Sequence, residues 1–332
     1  MRRFFCERAG PPQAPHRSAE RGGFPVSALF VTGRGAINAW ECDQWGHLNV
    51  QFYLAKASDA QAVLAAQLGL VPSRLRGAGP CLMPVADRTL FKRELRAGDI
   101  YAIRTGIRAA AADGTLDIAS RMFNQDTGVE SAAFETRLRW MAADRHTALP
   151  WPDDVLAAAV ALAGELPEAP PPPPMAQTAA SAPDLGSLEL TYRGSVETWE
   201  CGADGIAPPR AHIARFNDAI THLFRVLKID RASLFQRGFG SAALDYDIAY
   251  LRPMRAGQGV DIRSGLLAAG EKIFHVVHYV VDPVSGEIIT SIVVTALFFD
   301  LAARKSVSIR QALAGGVGSP LAAMAAQHGG AV

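Results

Sequence analysis

The chain has 332 residues, 49% of them hydrophobic and 20% charged, with a formal net charge of +1. That length suits two domains of ordinary size or one large one, and the composition is that of a globular chain with a real core. Lys plus Arg so nearly balance Asp plus Glu that general polyanion binding is excluded, and no nucleic-acid partner is expected.

Residues 1–28 are Arg-rich but lack the apolar run of a secretory signal, and read as a flexible N-terminal extension. A first domain is expected over 29–150. It opens with a strand that leads into "WECDQWGHLN" (Trp40–Asn49). A helix follows, because Val50, Tyr53, Leu54, Ala57, Leu64 and Leu68 share one face at helical spacing. Asn49 is placed to cap its start, and Gly69 to stop it. "YAIRTGI" and "FETRLRW" alternate as strands, with "RAGD" (Arg96–Asp99) and "DTG" (Asp126–Gly128) as turns. A linker is expected over 151–186. It begins with a short helix in "PDDVLAAAVALAG" and continues as the Pro/Ala-rich "LPEAPPPPPMAQTAASAPD" (Leu166–Asp184). A second domain is expected over 187–312 and a fraying tail over 313–332.

The two domains repeat one another. A shift of 159 residues carries Trp40-Glu41-Cys42 onto Trp199-Glu200-Cys201, Gly46 onto Gly205, Asp59-Ala60 onto Asp218-Ala219, Arg96-Ala97-Gly98 onto Arg255-Ala256-Gly257 and Leu138 onto Leu297. The second helix repeats the stripe with Ile213, Phe216, Ile220, Leu223 and Leu227, and Pro208-Pro209 stands at its start. The runs "FHVVHYVVD" and "IITSIVVTALFFD" are longer and more apolar than their first-copy counterparts, so the second sheet is expected to be covered on more of its surface. Each copy therefore reads as strand, long helix, then about four antiparallel strands, an α+β architecture.

Four cysteines, Cys6, Cys42, Cys81 and Cys201, make no C-x-x-C pair and no metal-ligand spacing. No metal and no cofactor are expected, and a reducing, cytoplasmic setting is the easier reading. The most apolar stretch, Ile288–Phe299, is about half the roughly 20 residues a spanning helix requires, so no membrane partner is expected.

Asp43, Gly46, His47, Asn49 and Tyr53 form a D-x-x-G-H-x-N loop running into a buried helix, ahead of an antiparallel meander with a Gly-Asp turn. The pattern resembles the hotdog fold, and more narrowly the 4-hydroxybenzoyl-CoA thioesterase-like branch of acyl-CoA thioesterases. The resemblance is good over about 32–145 and weaker over about 190–310. It implies two tandem hotdog domains, each a central helix wrapped by an antiparallel sheet, paired within one chain as a pseudo-dimer. It also implies a site at the seam between them, an acyl-CoA or acyl-carrier thioester as substrate, and a homodimer of such pseudo-dimers.

In that family the loop aspartate is the base or the nucleophile, a role that falls on Asp43. The oxyanion donors would be helix N-terminal amides, here those of Val50 and Gln51, since such groups lack intrahelical partners and the helix dipole favours negative charge there. Gly46 allows the tight turn or a close approach of substrate. His47 orients Asp43 or a water, or is a structural histidine. Asn49 is a cap before it is a substrate contact, and Tyr53 is mainly core. Trp40 and Trp199 read as packing residues, Glu41 and Glu200 as structural acids. Cys42 reads as a small buried residue, since adjacent residues of an extended segment point oppositely.

In the second copy Gly202, Ile206 and Pro208 replace Asp43, His47 and Asn49, and Asp204 stands at the position of Trp45. The expectation is division of labour: the first copy keeps the chemistry, and the second keeps the scaffold and supplies the other wall of the pocket. "RGFGSAALDYD" (Arg237–Asp247) is a candidate for that wall, and Arg210 and Arg215 are candidates for meeting CoA phosphates. Two other functions stay open: a hotdog enoyl-CoA hydratase or dehydratase, and a non-catalytic acyl-CoA-binding protein.

Overall fold

The computed structural model describes residues 29–75, 79–168, 184–202, 204–313, 319–321 and 323–324. The N-terminal extension, the middle of the linker and most of the tail lie outside the described residues. The first unit runs β1 (Phe30–Ala36), α1 (Val50–Gln67), the short α2 (Pro72–Leu75), β2 (Cys81–Phe91), β3 (Ile100–Ala110), β4 (Thr115–Asn124) and β5 (Glu130–Met141). Next comes α3 (Asp153–Leu162), whose Val155 and Ala159 pack with Trp151 against the first unit's core. The second unit repeats the order with β6 (Glu189–Ser195), α4 (Pro209–Val226), the short α5 (Arg231–Gln236), β7 (Phe239–Tyr250), β8 (Gly259–Ala269), β9 (Ile273–Val281) and β10 (Ile288–Asp300). β11 (Lys305–Val307) and α6 (Ile309–Ala312) close it.

Among the described residues the strands form one 11-stranded antiparallel sheet in the order β1-β3-β4-β5-β2-β7-β10-β9-β8-β6, with β11 against β10. The two halves join where β2 pairs with β7, from Ala86 opposite Ala249 to Leu90 opposite Asp245. α1 and α4 lie against each other as well as against their own strands. This explains why both helices are apolar on more than one face. Leu54, Ala57, Ala60 and Leu64 of α1 and Ile213, Phe216, Ala219 and Leu223 of α4 are buried. Each large aliphatic side chain among them contributes about 1.5–3 kcal/mol relative to leaving it in water. Asn49 caps α1 through Gln51 N–H, and Gly69 just past its end has φ +81, as the stop signal requires.

The repeat register shifts once. The β3–β4 turn is one residue longer than the β8–β9 turn, so β4 and β5 match β9 and β10 at a shift of 158. Leu138, opposite Pro84, therefore corresponds to Ala296, opposite Ala243, and not to Leu297. The second sheet is also covered on its outer face, where Val277, Tyr279, Val281 and Val293 pack with Leu185 and Leu188 from the end of the linker.

The repeated Trp-Glu-Cys is a folding device. Glu41 ends a 3-10 turn (Ala39–Glu41), accepts the N–H of Asn38, and meets Lys56 of α1 at 2.7 Å. Glu200 does the same for Glu197 N–H and Arg215 of α4, at 3.0 Å and 2.6 Å. Burial pushes both carboxyls up, but the cation and the backbone N–H outweigh it and hold them below the usual carboxylate range. The cysteine thiols sit near the Asn38 and Glu197 carbonyls, and burial raises both pKa values. The tryptophans are not packing residues. Trp40 and Trp199 are 72% and 79% exposed, because the turn that buries the glutamate points its neighbour outward.

Candidate active site

Asp43 stands between the turn and α1, in a loop closed by Asp43 N–H to the His47 carbonyl (2.8 Å) and Gly46 N–H to the Asp43 carbonyl (3.0 Å). Gly46 has φ +75, which a side chain would strain. One carboxylate oxygen of Asp43, Oδ1, accepts the N–H groups of Trp45 (2.9 Å) and His47 (3.1 Å). Oδ2 has no partner among the described residues, and Asp43 lines the cavity at the seam. The loop thus fixes one oxygen and leaves the other without a partner among the described residues.

The start of α1 faces the same space. Asn49 Oδ1 accepts Gln51 N–H (3.1 Å) and also Asn217 Nδ2–H (2.8 Å), which reaches across from α4 of the second unit. The Gln51 amide is therefore occupied by the cap. The Val50 amide has no hydrogen-bond partner among the described residues, and Val50 lines the cavity. Of the two amides expected as oxyanion donors, Val50's is the open one.

His47 turns its ring away from the carboxylate. Its Nε2 lies 3.3 Å from Glu94 and 3.1 Å from Arg96, and Glu94 also pairs with Arg304 of the second unit. It is His47's backbone that holds Asp43. The Tyr53 hydroxyl accepts Leu95 N–H at 3.2 Å and lies near Ser131 Oγ at 3.4 Å, anchoring the chain beyond β2. Burial raises its pKa, so it is a neutral core hydroxyl at the cavity's edge.

The cavity has two lobes that meet at Asp43, Leu48, Val50 and Ser241–Ala243. The outer lobe, about 690 Å³, lies between the loop, the end of β2 and the second unit's α5 and β7. Trp45 and Phe235 stack across it with centroids 4.0 Å apart. The inner lobe, about 560 Å³, runs into the second unit between α4 and β7, β9 and β10. Its wall includes Ser241, Ala242, Ala243 and Tyr246, within the small-residue stretch read as the second copy's wall. Arg215, by contrast, is not at the rim: it is buried against Glu200 and the Ser195 and Ala211 carbonyls. Arg93 and Arg231 border the outer lobe instead, one from each unit. Sequence reasoning missed Asn217, which carries no motif and matters only through the packing of the halves, and held Tyr246 only as one member of the Arg237–Asp247 wall.

The equivalent place in the first unit is crossed by hydrogen-bonded polar side chains. Gln61, Asp87 and Thr136 stand where the second unit has Ile220, Tyr246 and Val294. Gln61 donates to Thr136, Thr136 to Asp87, and Tyr250 of the second unit donates to Asp87 at 3.0 Å. Above them the second-copy loop is met by Arg145, whose buried guanidinium bonds the Gly79 carbonyl at 2.7 Å and lies 3.6 Å from Asp204. Among the described residues no group of His, Cys, Asp and Glu is arranged to hold a metal ion, and no helix is long and apolar enough to cross a membrane.

The fold has solved relatives. A candidate oleoyl thioesterase from Lactobacillus plantarum superposes with a TM-score of 0.64 at 14% identity, over 82% of this chain and 97% of that one. The 12:0-ACP thioesterase from Umbellularia californica gives 0.61 at 10%, over 82% and 94%. An acyl-ACP thioesterase from Bacteroides thetaiotaomicron gives 0.59 at 11%, over 82% and 98%. No curated protein matches the chain by sequence. The model of the thioesterase-like superfamily matches twice, over residues 37–159 and 196–317, so this double-hotdog chain belongs to the thioesterase-like superfamily in both of its halves.

Proposed function

We propose that the chain hydrolyses acyl-CoA thioesters at one site, built by the first unit's loop and the second unit's pocket. Membership of the thioesterase-like superfamily sets the reaction class. The observation that carries the assignment is Asp43, with Oδ1 fixed by two backbone N–H groups and Oδ2 unpartnered at the junction of the lobes. Oδ2 delivers the attack, on the carbonyl itself or through a water whose proton it takes. The Val50 amide at the positive end of α1 receives the oxyanion. Collapse of the tetrahedral intermediate breaks the C–S bond, and the thiolate leaves and takes up a proton; on the direct route this leaves an acyl-Asp43 anhydride, which water then hydrolyses to the free acid and the Asp43 carboxylate. The inner lobe takes the acyl group and the outer lobe takes the pantetheine arm. Arg93 and Arg231 stand where the carrier's phosphates would pass. Three structural relatives carry names that specify oleoyl or acyl-ACP thioesters, so carrier-protein thioesters belong in the same assay.

The test is thiol release from acyl-CoA and acyl-ACP panels by wild type, Asp43→Asn and Asp204→Asn. Loss of about 10²–10⁴-fold in kcat is expected for Asp43→Asn, the usual contribution of a positioned base. Asp204→Asn should stay within about twofold of wild type, because Asp204 accepts the N–H of Ile206 and faces Arg145 at 3.6 Å, and lines neither lobe. Equal losses in both variants would refute a single site, and no release from any thioester would refute the reaction.

A further inference from the structure

The inner lobe is not uniformly apolar. Tyr246 and His278 line it, and both are almost fully buried, at 7% and 1% exposed. The Tyr246 ring packs edge-on against Phe91 of the first unit, with centroids 5.2 Å apart. Its hydroxyl has no hydrogen-bond partner among the described residues. Buried tyrosine hydroxyls ordinarily find one.

His278 ends a chain of hydrogen bonds. Thr191 donates to the Ile262 carbonyl (3.3 Å), Ser264 Oγ lies 2.6 Å from Thr191 Oγ1, and His278 Nδ1 lies 2.6 Å from Ser264 Oγ. The proton between Ser264 and His278 can sit on either atom, so Nε2 is a lone pair in one tautomer and an N–H in the other, with no partner among the described residues in either. Burial keeps the ring neutral, pushing its pKa down to about 3. In the first unit the same chain, Thr32 to Thr105 to Ser120, ends on a hydroxyl and leaves nothing over. The second unit substitutes a longer side chain that brings a second ring nitrogen to the lobe.

Strand register orders the lobe. Ala243 is opposite Ala296, Tyr246 opposite Val294, and Ile248 opposite Ile292, which pairs with His278. Ser241–Ala243 are shared with the outer lobe, so the rows lead inward from there, past Tyr246, to His278. Two strands and two residues separate Tyr246 from His278, about 12 Å between Cα atoms.

We propose that the inner lobe selects an aliphatic acyl group that carries a hydroxyl on its distal part, which hydrogen-bonds His278 Nε2, with Tyr246 Oη offered to the chain nearer the thioester. This rests on the thioesterase reading for its leaving group, but not for its binding. A site that hydrogen-bonds a substrate hydroxyl rejects the analogue lacking it far better than an apolar pocket tells two chains apart.

The test compares saturated acyl-CoAs of increasing chain length with their terminally and subterminally hydroxylated counterparts. Binding of the corresponding free acids is followed separately by calorimetry. At the best length wild type should favour the hydroxylated substrate by at least about tenfold in kcat/KM, and the hydroxy acid by a similar factor in Kd. His278→Leu should pull that preference ratio toward one for the longer chains, whose terminal hydroxyl reaches it, and Tyr246→Phe for the shorter chains, whose terminal hydroxyl stops beside Tyr246. The shape-conserving Tyr246→Phe keeps the test readable if His278→Leu fails to fold. Equal or better use of plain chains by wild type, or a preference that survives both variants, overturns the proposal. Selective binding of the hydroxy acid without thiol release would uphold this inference and sink the thioesterase reading instead.

Discussion

The loops Cys42–Asn49 and Cys201–Pro208 share backbone hydrogen bonds and have two fates. Asp43 N–H bonds the His47 carbonyl at 2.8 Å, and Gly202 N–H bonds that of Ile206 at 2.9 Å. Gly46 and Gly205 have φ of +75 and +74. Leu48 N–H bonds the Leu95 carbonyl at 2.7 Å, and Ala207 N–H that of Met254 at 2.9 Å. What the second loop lost is the side chains of Asp43, His47 and Asn49. The loop's shape therefore belongs to the scaffold, and the proposed chemistry is an addition to it. Beneath the loops the difference is larger: one half has a lobe of about 560 Å³, and the other crosses the equivalent place with the hydrogen-bonded Gln61, Thr136 and Asp87.

Restoring side chains to the second loop should therefore fail, and this is the largest effect at stake. In an Asp43→Asn background, Gly202→Asp/Ile206→His/Pro208→Asn should remain about 10²–10⁴-fold below wild type in thiol release. Recovery to within about tenfold would mean that the first half opens readily, and the contrast between the halves would dissolve.

Next is the device both halves keep. Lys56→Met leaves Glu41 buried without its cation, and Arg215→Met does the same to Glu200. Breaking such a pair costs about 3–5 kcal/mol, so urea denaturation should show a loss of that size in each. A loss confined to the first unit would show that Trp-Glu-Cys serves the loop chemistry, contrary to its repetition.

The polar cluster of the first half makes a pH prediction. Burial pushes Asp87 up to about 6, against the opposing hydrogen bonds from Thr136 and Tyr250. A folded-state pKa above the unfolded value gives stability that is full below about pH 4 and lost as pH rises through about 6. The swing is about 3 kcal/mol. His212 and His278, both held down to about 3 mainly by burial, act oppositely, losing stability as pH falls below about 6.5. Asp87→Asn removes only the first effect. Its stability relative to wild type should improve by about 2–3 kcal/mol between pH 4.5 and 7.5. A difference independent of pH would place Asp87 in water.

Much of this was legible in the letters. Trp-Glu-Cys repeated in one register exposed the duplication, and the Asn49 cap and Gly69 stop bounded α1. The partners of the two glutamates also left a trace, since Lys56 and Arg215 stand at the same offset from Glu41 and Glu200. What stayed hidden arises from docking the halves. Asn217 gains its role only by meeting Asn49, and Tyr246 only by facing Phe91. The seam strands β2 and β7 lack a clean alternation because both join a continuous sheet and are half-buried along much of their length. Trp40 and Trp199 misled because hydrophobicity favours burial, whereas here the local turn sets the direction.

The smallest predicted difference separates two arginines in corresponding turns. Arg145 and Arg304 both adopt positive φ, +64 and +56. The Arg145 side chain is 5% exposed and bonded to the Gly79 carbonyl over the first half's polar cluster, whereas that of Arg304 is 48% exposed at the mouth of the open lobe and pairs with Glu94. Alanine at 145 loses a buried charged hydrogen bond, which is about 1.5–3 kcal/mol. Alanine at 304 loses an exposed ion pair, typically below about 1 kcal/mol. Glycine in place of alanine should recover a few tenths of a kcal/mol or more at both positions by relieving the left-handed backbone. Denaturation midpoints for the four variants separate the two contributions. A similar alanine cost at both positions would mean that Arg145 merely caps its turn, and the closure of the second site would then rest on Gln61, Asp87 and Thr136 alone.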